Sequence, residues 1–146
     1  GGRFGTEDPV TREQLSTILW RCSGRPAADA GENFADESAI STWAVDAVRW
    51  ARSNGYVNGV DDGRFDPAGQ ATRAQVATFL WRAEGSPAVS GGTSFTDVAS
   101  GAYYADAVVW ASNSGVTTGT STTTFSPDAV CTRAQIVTFL YRVLAE

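Results

Sequence analysis

An all-α fold built from helix-loop-helix repeats is predicted for this chain of 146 residues, on three observations. The segment Thr72-Arg73-Ala74-Gln75 returns as Thr132-Arg133-Ala134-Gln135, and Thr11-Arg12-Glu13-Gln14 stands in the same context. Longer matches surround them: FGTEDPVTREQLSTILWRCSG (4–24), FDPAGQATRAQVATFLWRAEG (65–85) and FSPDAVCTRAQIVTFLYRVLA (125–145). The stretches ahead of the later two copies also agree, WAVDAVRWARSNG (43–55) with YYADAVVWASNSG (103–115). A period of about 60 residues is one supersecondary unit, which buries its apolar face against its neighbours.

In the first helix of each unit, Trp43, Ala47 and Trp50, or Tyr103, Ala107 and Trp110, fall at i, i+4, i+7, a stripe expected to face the core. Gly55 and Gly115 stand where a left-handed residue ends that helix, with Tyr56 or Val116 supplying the apolar contact beyond. Gly59 and Gly119 then open a turn that runs into Phe65 or Phe125, a tight loop or short hairpin where very short strands can form. The second helix begins at the repeated threonine. Its stripe is Leu15, Ile18, Leu19 and Cys22 in the first copy, Val76, Phe79, Leu80 and Ala83 in the second, and Ile136, Phe139, Leu140 and Val143 in the third. PAADAGEN (26–33) and PAVSGGTS (87–94) have linker composition, which places the repeats at 1–26, 27–87 and 88–146 within one compact module.

The first copy is half a repeat, because Gly1-Gly2-Arg3-Phe4 aligns with Asp62-Gly63-Arg64-Phe65. The helix after Thr11 is therefore expected to expose apolar residues unless another chain covers them, which would make a homo-oligomer through the truncated repeat. With no methionine, the sequence reads as a piece of a longer protein, with any export signal and a cargo domain upstream and a natural C-terminus after the last helix.

The net charge of -5 comes from 16 acidic residues against 11 basic ones, all arginine, which argues against general nucleic-acid or membrane-surface binding. No run approaches the ~20 apolar residues of a membrane span. Without His or Lys there are no imidazole bases, Schiff-base lysines or histidine metal ligands, and neither a metal nor a cofactor is expected. Asp61-Asp62-Gly63 with Asp66 lacks the alternating oxygens and closing glutamate of a calcium loop and reads as a turn.

Thr-x-x-Gln is a capping box, the hydroxyls of Thr11, Thr72 and Thr132 accepting from the backbone while Gln14, Gln75 and Gln135 reach back to the threonine N–H. It leaves Arg12, Arg73 and Arg133 unexplained, each at the positive end of a helix dipole. Two readings stand level: an anion site made by the guanidinium beside free helix N–H groups, or structural salt bridges to Asp36 or Asp97. For Arg21, Arg82 and Arg142, at the other end of the helix, C-terminal capping suffices. A glycan-acting enzyme using pairs among Asp36, Asp46, Asp97 and Asp106 ranks last, because duplicated modest sites favour multivalent binding over one catalytic centre.

The run Phe-x-Asp, Trp or Tyr, Ala-Val-x-Trp-Ala, Gly, Gly, Phe-x-Pro, Thr-Arg-Ala-x, Phe-Leu resembles the S-layer homology domain over nearly the whole chain. That resemblance implies a pseudo-threefold helical bundle with grooves between repeats. It implies a non-catalytic anchor, secreted to the cell wall and S-layer of a Gram-positive-type envelope, that binds acidic, often pyruvylated, secondary cell-wall polysaccharide. The family's glycan-contacting arginine carries over to Arg12, Arg73 and Arg133, with Thr11, Thr72, Thr132, Gln75 and Gln135 beside it; Gln replaces the usual Glu, and the half repeat weakens the case for Arg12. Trp81 and Tyr141 are candidates for stacking on sugar, although flank-of-core packing accounts for them too. In a pseudo-trimer the first and third copies are neighbours, so a Cys22–Cys131 disulfide is expected over two buried thiols. The alternative function is a self-assembly module whose arginines tie repeats together.

Overall fold

The structure is a computed structural model and describes residues 8–27, 34–60, 63–117 and 119–144. It is all-α: α1 (Arg12–Cys22), α2 (Val45–Ser53), α3 (Arg73–Ala83), α4 (Ala105–Asn113) and α5 (Arg133–Leu144), with one 3₁₀ turn at Glu37–Ala39. Among the described residues there is no strand. The loops carry isolated antiparallel bridges instead, Thr11 with Gln70, Thr72 with Val130 and Pro9 with Thr132, each joining the pre-helix segments of two copies.

Local sequence accounts for where the helices start and stop. At α1 and α3 the threonine hydroxyl accepts from the glutamine N–H and the glutamine side chain accepts from the threonine N–H. The same reciprocal pair precedes α5, at 2.9 Å from the Thr132 N–H and 3.2 Å from the Gln135 N–H. Gly55 and Gly115 follow α2 and α4 with φ of 76° and 74°, and the next N–H returns to the carbonyl of Ala51 or Ala111. Tyr56 then packs edge-on against Trp50 at 5.3 Å, the apolar contact that accompanies such a stop.

The chain divides into two units, Val10–Ala71 and Thr72–Glu146 with Gly1–Pro9. In the first, α1 packs on α2; in the second, α3 packs on α4. Each pair joins the second helix of one copy to the first helix of the next. Ala44, Ala47, Val48 and Ala51 are buried along α2, as are Ala107, Val108 and Ala111 along α4, small side chains that permit close helix approach. The loop phenylalanines complete each interior, Phe34 against Phe65 at 5.0 Å and Phe95 against Phe125 at 5.8 Å.

Three expectations are corrected. Leu15 and Leu19 of α1 are buried, at 4% and 5% exposure, because α2 covers the helix that was expected to stand open. Trp43 and Tyr103 are exposed, at 50% and 62%, because α2 and α4 begin two residues later and the aromatic falls off the helical track. Cys22 and Cys131 are free thiols and form no disulfide: Cys22 lies exposed on the last residue of α1, while Cys131 is fully buried ahead of α5.

Burial pushes the Cys131 thiol up to about 11, against an opposing effect of Arg73. A thiol reagent at pH 8 is therefore expected to modify Cys22 alone in the folded chain, and Cys131 only after denaturation. Equal rates at both residues, read by mass spectrometry, would contradict this burial.

Candidate functional site

The site is built on the loop that follows Phe-x-Asp in each full copy. Asp36 accepts from the N–H groups of Phe65 and Asp66, both at 2.8 Å. Asp97 does the same for Phe125 and Ser126, at 2.9 and 2.8 Å. These two-bond clamps hold Asp66 and Ser126 at φ of 58° and 62°, in the left-handed region, and seat Phe65 and Phe125 with no exposure. The carboxylates anticipated as arginine partners thus serve the loop backbone. Desolvation pushes the Asp36 carboxyl up, and the N–H bonds from Phe65 and Asp66 with the nearby Arg64 more than offset it, leaving it below the usual value. Asp97 lies low for the same balance, with Phe125, Ser126 and Arg73 opposing desolvation.

A depressed folded value means stability that is present above the unfolded carboxylate value and lost as pH falls through the folded one. Melting temperature is accordingly expected to hold from pH 7 to 5 and to fall below about pH 4, near the unfolded aspartate value. Asp36→Asn should make that acid limb shallower; an identical limb in the variant would remove the clamp from the explanation.

The clamped loops in turn receive the repeated arginines. Arg12 is half-buried, its Nε donating to the Phe65 carbonyl at 2.7 Å and its guanidinium lying 5.1 Å from the Phe65 ring centre. Arg73 repeats this on Phe125, with Nε to the carbonyl at 2.8 Å and ring centres of Phe125 and Phe139 at 4.8 and 5.4 Å. It is only 4% exposed. Arg133 is exposed on the first turn of α5, and the phenylalanine that would correspond, Phe4, lies outside the described residues.

The N-termini of α1 and α3 do not have free N–H groups to offer. At α1 the Arg12 and Glu13 N–H groups donate to the carbonyls of Gly69 and Pro67, and at α3 those of Arg73 and Ala74 donate to Ala129 and Pro127. The third N–H of each belongs to the capping box. At α5 the Arg133 N–H donates to the Asp8 carbonyl. An anion at α1 or α3 would therefore be gripped by the guanidinium and not by the backbone, which overturns half of the expected arrangement and leaves Thr11, Thr72, Thr132, Gln75 and Gln135 first of all as caps.

Arg73 opens on a cleft of about 440 Å³ within the second unit, walled also by Thr117, Thr120, Gln135, Thr138 and Arg142. Among the described residues the terminal Nη atoms of Arg73 make no hydrogen bond or ion pair. Desolvation lowers the Arg73 pKa, opposed by Cys131 and Asp97, yet an arginine starts so high that it stays charged at neutral pH. Arg142, expected to cap its own helix, instead donates from Nη1 to the Val116 carbonyl at 3.2 Å and adds a second cation to the wall. No acidic side chain lines this cleft among the described residues, and its charged walls are Arg73 and Arg142. Asp46 and Asp106 are exposed in the first turns of α2 and α4.

The aromatic candidates separate. Trp81 is half-buried, its indole N–H donating to the Pro87 carbonyl at 2.9 Å, as Trp20 does to Pro26, so the ring fastens the linker after its helix. Tyr141 is 73% exposed.

One buried acid was missed. Glu13, 8% exposed, accepts from the Ser41 hydroxyl at 2.6 Å and the Ser41 N–H at 2.9 Å, tying α1 to the approach of α2. The signal in the sequence is paired: Glu13 corresponds to Ala74, and Ser41 to Gly101, so the acid and its partner are absent together from the other unit.

A family model of the S-layer homology domain matches residues 33–77 and 94–137. The chain belongs to the S-layer homology domain family. This S-layer homology chain is 32% identical over 115 residues, 79% of its length, to the surface-layer 125 kDa protein of Lysinibacillus sphaericus, of which it covers 10%. It is 30% identical over 116 residues, again 79% of its length, to an S-layer protein of Bacillus thuringiensis subsp. finitimus, covering 14% of that protein. It is 29% identical over 85 residues, 56% of its length, to the cellulosome-anchoring protein of Acetivibrio thermocellus, covering 19%. The S-layer homology chain thus spans a small part of each of these relatives. Among the described residues no helix is long and apolar enough to cross a membrane, and no cluster of His, Cys, Asp or Glu could hold a metal ion.

Proposed function

We propose that the chain is a non-catalytic cell-surface anchoring module that holds an acidic secondary cell-wall polysaccharide in the cleft beside Arg73, within an exported protein whose cargo lies elsewhere in the polypeptide. The repeats of this module are taken as 1–26, 27–87 and 88–146. One observation carries the reading: Arg73, 4% exposed as a residue and fixed through Nε, lines with a second arginine and several hydroxyls a cleft in which, among the described residues, its Nη atoms make no hydrogen bond or ion pair. Asp97 acts on this cation only at a distance, so a desolvated guanidinium with no carboxylate in contact is costly to keep, and an anionic group entering the cleft restores what burial removed. Hydroxyls around it suit a sugar. Relatives named as S-layer and cellulosome-anchoring proteins support the surface location.

Purified chain is expected to sediment with cell wall that retains its polysaccharide and to stay in solution with wall stripped of it. Equal sedimentation with both would end the proposal. The second reading, an assembly module, draws on the Nε-to-carbonyl bonds of Arg12 and Arg73, which are structural contacts. It requires arginine variants to lose folding or association while wall binding, measured on whatever remains folded, is unaffected.

A further inference from the structure

Gln135 uses the two ends of its amide differently. The carbonyl oxygen accepts from the Thr132 N–H at 2.9 Å in the capping box of α5, while Nε2, in the wall of the cleft, makes no hydrogen bond among the described residues. A glutamate would close the same box, because a carboxylate oxygen serves as acceptor there equally well. It would also put a negative charge into the wall. The start of α5 therefore does not decide between the two residues, and what separates them is the ligand that each lets the cleft hold.

The other polar groups of the wall agree in sign. Arg73 is fixed through Nε, and Arg142 has committed Nη1 to the Val116 carbonyl, which leaves both Nη atoms of the first and Nη2 and Nε of the second without a hydrogen bond among the described residues. Thr117, 4% exposed, accepts from the Gly119 N–H through a hydroxyl whose own proton goes to no acceptor among the described residues. Two full positive charges and two neutral donors thus share one cleft, and a ligand with a single negative charge leaves one guanidinium uncompensated. We infer that the cleft selects a saccharide carrying two negative charges, as a phosphate monoester or a pair of carboxylates supplies, and that Gln135 sets this preference by keeping a carboxylate out of the wall. The inference rests on the polysaccharide reading and narrows its ligand, with Gln135 and Arg142 as specificity-determining residues.

The chain has no histidine, and the titratable groups that act on Arg73 hold their state between pH 5 and 7.5: Asp97, below its usual value, stays ionised and Cys131, at about 11, stays protonated. A phosphate monoester, with its second pKa at about 6, passes from one charge to two over the same range. Glucose 6-phosphate titrated into the intact chain, followed at the Arg73 Nε–H resonance, is expected to bind about fivefold or more tightly at pH 7.5 than at pH 5. In Gln135→Glu, whose capping box persists, and in Arg142→Gln that ratio should fall to about twofold or less. Glucarate, whose two carboxylates are ionised at both pH values, separates the sources: tighter binding than glucose 6-phosphate at pH 7.5 assigns the charges to two carboxylates, and weaker binding assigns them to one phosphate. Equal affinity for glucose 6-phosphate at the two pH values, no binding at either, or an undiminished ratio in Gln135→Glu overturns the inference. Arg73→Gln keeps this outcome apart from the reading beneath it: if that variant no longer sediments with polysaccharide-bearing wall, only the two-charge preference falls, whereas retained sedimentation removes the polysaccharide site itself.

Discussion

Arg73→Gln is expected to weaken wall binding at least thirtyfold, whereas Arg133→Gln weakens it by about fivefold or less. The asymmetry rests on burial. Removing one member of a desolvated charge pair costs about 2–5 kcal/mol, and each 1.4 kcal/mol is tenfold in affinity. An exposed arginine on α5 contributes about 0–1 kcal/mol, screened by salt. The variant also loses its Nε bond to Phe125 and its contacts with two rings, worth about 1–2 kcal/mol together, but relieves the cost of burying an unpaired cation. Melting should therefore move by only a few degrees. Sedimentation with polysaccharide-bearing wall, beside a melting curve, separates the two effects. Unchanged binding by Arg73→Gln, or a larger loss from Arg133→Gln, would sink the assignment of the cleft.

Gly119→Ala should lower the melting temperature by about 4–16 °C, against about 2–4 °C for Gly115→Ala. Both glycines have positive φ, 85° and 74°, and alanine at either carries similar backbone strain, about 1 kcal/mol. They differ in what the new methyl meets. Around Gly115 there is open space, while at Gly119 a Cβ would lie 2.6 Å from the Thr124 carbonyl oxygen and against the Phe95 ring. The Thr120 N–H donates to that same carbonyl at 2.9 Å, so yielding would break the turn. Overpacking of this kind adds about 1–3 kcal/mol, and a chain of this size loses roughly 2–4 °C per kcal/mol. Equal melting of the two variants would show that the loop adjusts freely and that Gly119 does not shape the cleft wall.

These expectations mark which parts of the molecule were legible beforehand. The capping boxes at Thr11, Thr72 and Thr132 and the stops at Gly55 and Gly115 are three- to five-residue devices, and nearest neighbours in sequence decide them. The Phe-x-Asp motif was visible as a repeat, but its work is done on N–H groups nearly thirty residues away, at Phe65 and Phe125. No periodicity predicts that. The arginines were singled out because the helix dipole opposes them; the N–H groups expected to be free beside Arg12 and Arg73 instead donate to the carbonyls of Gly69, Pro67, Ala129 and Pro127 from the next copy. The disulfide failed for a similar reason, since composition and compartment say nothing of which way a thiol faces.

From the sequence alone came the all-α class, the family, the ends of the helices and the residue to suspect. Each depends on spacing along one chain: hydrophobic period, cap chemistry and a repeat that matches itself. Only the tertiary structure distinguished Arg73 from Arg133 and moved Arg142 from helix cap to cleft wall. Three nearly identical segments receive different burial because, among the described residues, α1 packs on α2 and α3 on α4 while α5 has no helix partner of comparable closeness, and burial, which sets the cost and the use of a charge, is a property of neighbours that sequence does not place.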